Sequence, residues 1–373
     1  MDIIIVLLIF FHVIQCQKII SIPYTFNYND YQIQIQFPSI DKKLRLMLDM
    51  TYDYTFIRQV SVEDSLLKDK PTLTINHHNS IQRVPFLTDD IYLPQTQNTI
   101  HGFNCLVIPS SSSSSIGLAA TIENKDTSFI YQLYKKGFIE HLIFSLDTVT
   151  RRKKNSVIYF GGVPEESIRN KYKTTIKIDS TNNKWGIRLN EIYFGNHQYK
   201  YNNKDFAFIN IGNDRIFAPK KIVEHLSETI FKGYVQNTTC VITIKGEKQF
   251  INCPCNVVET FPNMTFVFDR YHFILEPQKL FVKVEAGMNC LFLIQKNYLP
   301  YEDTNTWFIG NFFLDKFVTE FNYETKEINF YTDEIVQRTN NISIMSNVTY
   351  SVMICVLLFG IVFLIMNRGI NIK

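Results

Sequence analysis

Leu46-Met47-Leu48-Asp49-Met50-Thr51-Tyr52-Asp53-Tyr54-Thr55-Phe56-Ile57 reads as an apolar strand that ends on an acid, crosses a short polar loop and resumes as a second apolar run. The pattern returns in Phe208-Ile209-Asn210-Ile211-Gly212-Asn213-Asp214, where the apolar run ends on an amide instead. Each stretch is followed later by an apolar turn built on glycine: Ser115-Ile116-Gly117-Leu118 after the first, Phe308-Ile309-Gly310-Asn311 after the second. An acid in a turn after a strand is common by itself, so the weight lies on the repeat. Strand, polar loop and apolar-glycine turn, twice in the same order, predict two similar lobes, each mostly sheet.

The rest of residues 18–335 agrees with a sheet-rich domain. Gln32-Ile33-Gln34-Ile35-Gln36 alternates strictly, as a half-buried strand does. Val157 to Phe160 runs into Gly161-Gly162, and Ile328 to Tyr331 closes the domain as a last short strand. Helical patterns are few: Ser128 to Lys136, and Pro219 to Phe231, opened by a proline suited to a first turn. Apolar residues make up 46% of the 373 and aromatic residues 14%, which excludes a disordered or collagen-like chain. With 38 basic against 35 acidic side chains the net charge is only +3, so no nucleic-acid partner is expected.

In the order they occur, several segments resemble the pepsin-like aspartic endopeptidases, over roughly residues 25–332. Leu46 to Ile57 is similar to that family's apolar-apolar-Asp-Thr-Gly-Ser loop, and Ser115 to Ala119 to its G-I-L-G-L-A turn. Phe129 to Ser145, Val157 to Gly162 and Thr306 to Phe321 resemble its L-x-x-Q-G-x-I, L-x-F-G-G and W-x-L-G-D-x-F-L segments. The resemblance implies a mainly β, bilobal acid-protease fold around a central cleft, with an N-lobe near 18–165 and a C-lobe near 166–335. It also implies two catalytic aspartates, one per lobe, sharing a proton: one takes a proton from water while the other hydrogen-bonds the scissile carbonyl. Asp49 stands at the first of these positions and Asn210 at the second, with Gly212 holding the register. Asp214 is the substitute candidate, but Arg215 and Ile216 follow it where Thr-Gly is needed. Asn keeps the shape of Asp and cannot ionise. Met50 and Ile211 stand where the family has threonines that brace the loops, and the tyrosine of the family's flap hairpin falls near His77 within Pro71 to Asp90. The resemblance further implies a C-lobe disulfide between Cys255 and Cys290. Cys240 is then expected to pair with Cys253, with Cys240–Cys255 the alternative at these spacings.

Both ends read as membrane signals. MDIIIVLLIFFHVIQC, residues 1–16, is too short an apolar run to span a bilayer comfortably and fits a signal peptide cleaved near Cys16 or Gln17. Tyr350 to Met366 carries no charge and precedes a polar tail, 367–373, with Arg368 and Lys373, so a single transmembrane helix is expected after a stalk at 336–349. That places the bulk of the chain outside the cytosol, on a cell surface or in an endolysosomal vesicle. N-x-S/T sequons at Asn237, Asn263, Asn341 and Asn347 agree with a glycoprotein. Outside the apolar ends, five cysteines imply two bridges and one leftover thiol. Neither a metal nor a cofactor is expected: Cys253-Pro254-Cys255 has no partner pair at zinc spacing, and adjacent His77 and His78, pointing apart in a strand, read as surface histidines.

The expectation for function is a membrane-anchored, monomeric pepsin-like homologue that no longer hydrolyses peptides and binds an extended peptide or protein partner in its cleft. The alternative is an active endopeptidase of atypical chemistry, with His77 or a partner's carboxylate assisting Asp49.

Overall fold

The computed structural model describes residues 18–338 apart from 28–29, 78–79, 110, 112, 149–155, 180–182, 201–204, 213–214, 237–238, 246–247, 285–287 and 298–305. The expected signal peptide, transmembrane helix and tail lie outside these residues, as do Asp214, His78 and the sequons at Asn237, Asn341 and Asn347. Among the described residues no helix is long and apolar enough to cross a membrane.

Period-two burial builds the sheets. In the strand Asp30–Phe37, Ile33 and Ile35 are buried while Gln32, Gln34 and Gln36, which alternate with them, are half-buried, and in Lys42–Asp49 the inward residues are Leu46 and Leu48. These strands pair antiparallel, Ile33 opposite Leu46 and Ile35 opposite Leu44. A sheet of 13 strands runs from the strand Tyr172–Lys177 at one edge to Thr72–His77 at the other, beside sheets of nine and four strands.

The middle of the large sheet joins the two halves of the chain. Val318–Asn322, from the C-terminal half, lies antiparallel between Ile143–Asp147 of the N-terminal half and Glu327–Thr332. Ile143–Asp147 continues through Ser156–Phe160 to Ile20–Asn27. Across this junction the Phe144 and Phe321 rings stack 4.6 Å apart, and the fully buried Trp185 meets both edge-on. One apolar core is therefore continuous through both lobes.

Helices are short, as expected. Phe129–Lys135 buries Phe129, Ile130 and Leu133. The single helix expected over Pro219 to Phe231 is instead two, Lys220–Glu228 and Ile230–Gln236. They break at Thr229, whose hydroxyl donates back to the His225 carbonyl at 2.7 Å. Within the segment expected as a stalk, Gln337–Arg338 forms a short strand on Tyr271–Leu275, with the Arg338 guanidinium 5.3 Å from the Tyr271 ring centre.

The disulfides are Cys240–Cys253 and Cys255–Cys290. Cys253 and Cys290 lie opposite each other in paired strands, so both bridges gather at one corner of the four-stranded sheet. Cys105 is unbridged and fully buried, and that burial holds its thiol protonated.

Candidate functional site

Two loops of the same construction face one cavity. In the first, Lys42–Asp49 runs parallel to Ser115–Gly117, Asp49 opposite Gly117, and the Asp49 carbonyl accepts from Leu118 N at 2.7 Å. Residues 50–55 then wrap over this crossing so closely that a Cβ on Gly117 would sit 2.5 Å from the carbonyl oxygens of Tyr52 and Tyr54. In the second, Phe206–Ile209 runs parallel to Thr306–Ile309, and Asn210 N donates to the Ile309 carbonyl at 3.0 Å. The next strands repeat the relation. Phe56–Arg58 pairs antiparallel with the first crossing strand and Ile216–Ala218 with the second.

The repeat extends to the side chains. Asp49 Oδ1 accepts from Thr51 N at 2.7 Å, and Asn210 Oδ1 accepts from Gly212 N at 2.9 Å. Met50 and Ile211, where the resemblance implies bracing hydroxyls, are both buried in the common apolar core. Packing takes the place of hydroxyl bonding there, helped by Asn311 Nδ2, which donates to the Ile211 carbonyl at 2.7 Å.

Asp49 and Asn210 line the same cavity, of about 820 Å3, together with residues 50–54, Thr74 to Asn76, Glu123, Asn124, Asn183, Lys184, Phe208, Ile209 and Phe308. Its remaining carboxylates differ in what they can do. Asp53 is buried and already accepts from Glu123 N, Asn124 N and Asn124 Nδ2 at 2.6, 2.6 and 2.8 Å, so it is a structural anchor. Glu123 is exposed at the rim.

The hairpin of Thr72–His77 and Ser80–Leu93 places Thr74 to Asn76 on the cavity. His77 is not a surface residue as expected but fully buried. The strand's own alternation puts it on the inner side with Ile75, and the loop after Asp49 closes over it. Its Nδ1 lies 3.1 Å from the Tyr54 hydroxyl, its ring centre 4.8 Å from that of Tyr52 and 5.1 Å from that of Phe56. Tyr54 also donates to the Asn76 carbonyl at 3.2 Å. Burial first, then the neighbouring Tyr52, Asp53 and Asp49, holds the Tyr54 phenol protonated at any working pH. His77, opposite Ser80 beside the turn, thus packs the tip of the hairpin onto the loop that follows Asp49 and does not line the cavity.

Among the expected sites, the structure brings together Asp49 and Asn210 and sets His77 behind them. The cysteine pairs lie in the C-terminal half, and Asn263 is exposed, its carbonyl accepting from Gly195 N. Sequence reasoning missed Asp53 and Lys184. The signal for Lys184 was its neighbour Trp185, one of two tryptophans in the chain, since a large ring fixed in a core also fixes the residue beside it. No grouping of His, Cys, Asp or Glu that could hold a metal occurs among the described residues.

Comparison with known proteins agrees with this geometry. The chain is 22% identical over 205 residues to pregnancy-associated glycoprotein 2 of Bos taurus, covering 55% of this chain and 50% of that protein. It is 24% identical over 168 residues to aspartic protease Bla g 2 of Blattella germanica, covering 39% of this chain and 46% of that protein. The chain thus spans about half the length of the curated relatives it matches. The family profile described as eukaryotic aspartyl protease matches residues 107–332, so the register of Asp49, which lies before them, rests on the pairing of its strand with Ser115–Gly117. With that match over more than half its length, and with the loop repeat on both sides of the cleft, the chain belongs to the eukaryotic aspartyl protease family.

Proposed function

We propose that this protein is a membrane-anchored member of the family whose cleft binds an extended peptide or protein partner without hydrolysing it. The observation that carries the reading is Asn210, an amide in the loop that mirrors Asp49 on the same cavity. The family's reaction needs two carboxylates that share one proton, so that one is a base for water while the other is an acid for the carbonyl. Asn210 neither takes nor yields a proton, and its Oδ1 is held by Gly212 N. Asp53 is occupied by three donors and His77 is walled off by aromatic rings, so neither is placed to supply the second function.

What survives is a groove between two lobes with a hairpin along it. An extended chain in such a groove gains affinity from main-chain hydrogen bonds and side-chain pockets, neither of which needs the missing carboxylate. The anchor at 350–366, the glycans and a monomeric state at the cell surface or in an endolysosomal vesicle belong to the same proposal and rest on the sequence.

The test is hydrolysis of a broad peptide library by the purified chain from about pH 3 to 7, the range in which a carboxylate pair titrates. Asp49→Ala and Asn210→Asp are run beside it, with binding of a peptide mimic of the tetrahedral intermediate. The expected result is binding without cleavage. Asn210→Asp is expected to recover a slow rate, several orders of magnitude below a working family member, because the loops are braced differently. Wild-type cleavage that disappears in Asp49→Ala would overturn the reading.

A further inference from the structure

Outward positions of an antiparallel sheet packed on a core are ordinarily polar, and the four-stranded sheet of the C-lobe departs from that rule. Its strands lie in the order Val241–Lys245, Lys248–Pro254, Asn289–Phe292 and Phe281–Lys283. One face carries Ile251, Cys253, Cys290 and Phe292 and is buried in the core. On the other, Val241 stands opposite Asn252, Asn252 opposite Leu291 and Leu291 opposite Val282, with Phe250 two residues along from Asn252. Asn252 is the only polar side chain in that row. Val241 is 60% exposed and Val282 37%, while Phe250 and Leu291 are half-buried.

Apolar exposure is concentrated on this sheet. Of the ten large apolar side chains exposed among the described residues, five belong to its strands or flank them: Val241, Ile244, Val282, Val284 and Met288, the last 80% exposed. The other five lie on separate segments. Charge on the strands has one sign, since they hold Lys245, Lys248 and Lys283 and no Asp or Glu. An apolar patch fringed with lysine suits a surface that offers acyl chains beneath phosphate.

The way the chain leaves the domain favours lipid as the occupant. Gln337–Arg338 pairs with Tyr271–Leu275, and only the short helix Pro277–Leu280 separates that strand from Phe281–Lys283 in the chain. The segment leading to the expected membrane helix therefore departs from the lobe that bears the sheet. Eleven residues, 339–349, lie between Arg338 and Tyr350. Fully extended they reach about 40 Å. A domain of this size is about 50 Å across, so it cannot stand off from the bilayer by its own width, and one of its faces stays close to lipid.

Resting on the proposed membrane anchor, we infer that the outer face of this sheet lies on the phospholipid surface of the membrane that holds the chain. Val241, Val282, Val284 and Met288 enter between the headgroups, and the lysines meet lipid phosphate. The anchor then sets the distance and the sheet sets the orientation, so the cleft is presented at a fixed angle to the membrane.

The full chain is reconstituted into phosphatidylcholine vesicles, plain or brominated near the headgroup end of the acyl chains. It carries its glycans, because the sequon at Asn237 lies four residues before Val241. Trp185 and Trp307 are both fully buried, so a tryptophan added at the surface reports contact with bromine. Val282→Trp and Met288→Trp are expected to lose emission in the brominated vesicles, and Val60→Trp, in the N-lobe, to keep it. Val241→Glu with Val284→Glu, at positions where water accepts a charge and lipid does not, abolishes the loss at Met288→Trp. Equal loss at Met288→Trp and Val60→Trp, no loss at any site in a chain that floats with the vesicles, or a loss that survives the two glutamates overturns the docking and leaves the anchor standing. A chain that does not float with the vesicles removes the anchor, and the docking with it.

Discussion

At the head of the two loops that face the cleft, one carboxylate oxygen in Asp49 is replaced by an amide nitrogen in Asn210. Asp49 and Asn210 each accept a main-chain N–H from the residue two further on, so the fold treats them alike, and only their chemistry differs. Gly117 shows the opposite case, where the fold has no tolerance. Any side chain there meets backbone and not a movable group, with the Tyr52 and Tyr54 oxygens at 2.5 Å and the Tyr54 nitrogen at 2.7 Å. Gly117→Ala is expected to destabilise the protein by about 3 kcal/mol, at the upper end of overpacking costs, through displacement of the loop that carries Asp49. Its denaturation midpoint against wild type is the measurement, and a shift worth less than about 1 kcal/mol would mean the crossing is looser than described.

Elements here are tied to one another by a few polar contacts at their ends. Lys316, after the short helix Asn311–Leu314, donates to Glu276 Oε1 at 2.6 Å and to the Ile274 carbonyl at 2.9 Å, joining that turn to Tyr271–Leu275. Partial burial pushes the Glu276 carboxyl up, but the Lys316 bond, a main-chain bond and the charges of Lys316 and Lys279 outweigh it and hold it below its ordinary value. The folded state thus binds this proton less readily than the unfolded chain. The contact stabilises above the unfolded value, and its contribution is lost as pH falls through the folded one. From about pH 5 downward the wild type should lose stability more steeply than Glu276→Gln, the two converging at the acid end. Because the pair is largely solvated, the difference should stay below about 1 kcal/mol. Parallel melting curves of the two proteins at every pH would show that Lys316 contributes nothing there.

At the scale of the whole molecule the lobes are not independent. The strand Val318–Asn322 completes a sheet begun by Ile143–Asp147, and Trp185 closes on Phe144 from the other half of the chain. Fragments 18–165 and 166–335, made separately, are expected to lack near-ultraviolet circular dichroism and to regain it when refolded together. The first fragment alone would expose Phe144 and the edge of Ile143–Asp147, both covered in the intact chain. A native-like spectrum from either fragment alone would show that each lobe carries a sufficient core of its own.

Much of this was legible in the chain itself, because the signals were local. Period-two alternation marked Asp30–Phe37 and Lys42–Asp49, and the repeated strand, loop and glycine turn announced two lobes and placed Asp49 and Asn210 at equivalent points. The burial of His77 was not legible, since Tyr52 and Tyr54 of the loop and Phe56 of the strand after it, which close over it, come some twenty residues earlier in the chain. Nor was the break at Thr229, where one hydroxyl competes with the helix ladder. Lys184 shows the limit most clearly. Nothing in its neighbours along the chain says that Phe208 and Phe308 will lie beneath it, because charge in a cleft is set by which strands cross there. Sequence determines which faces must be buried, through the spacing of apolar residues; only the crossing of distant strands decides which polar groups are left facing one another across the groove.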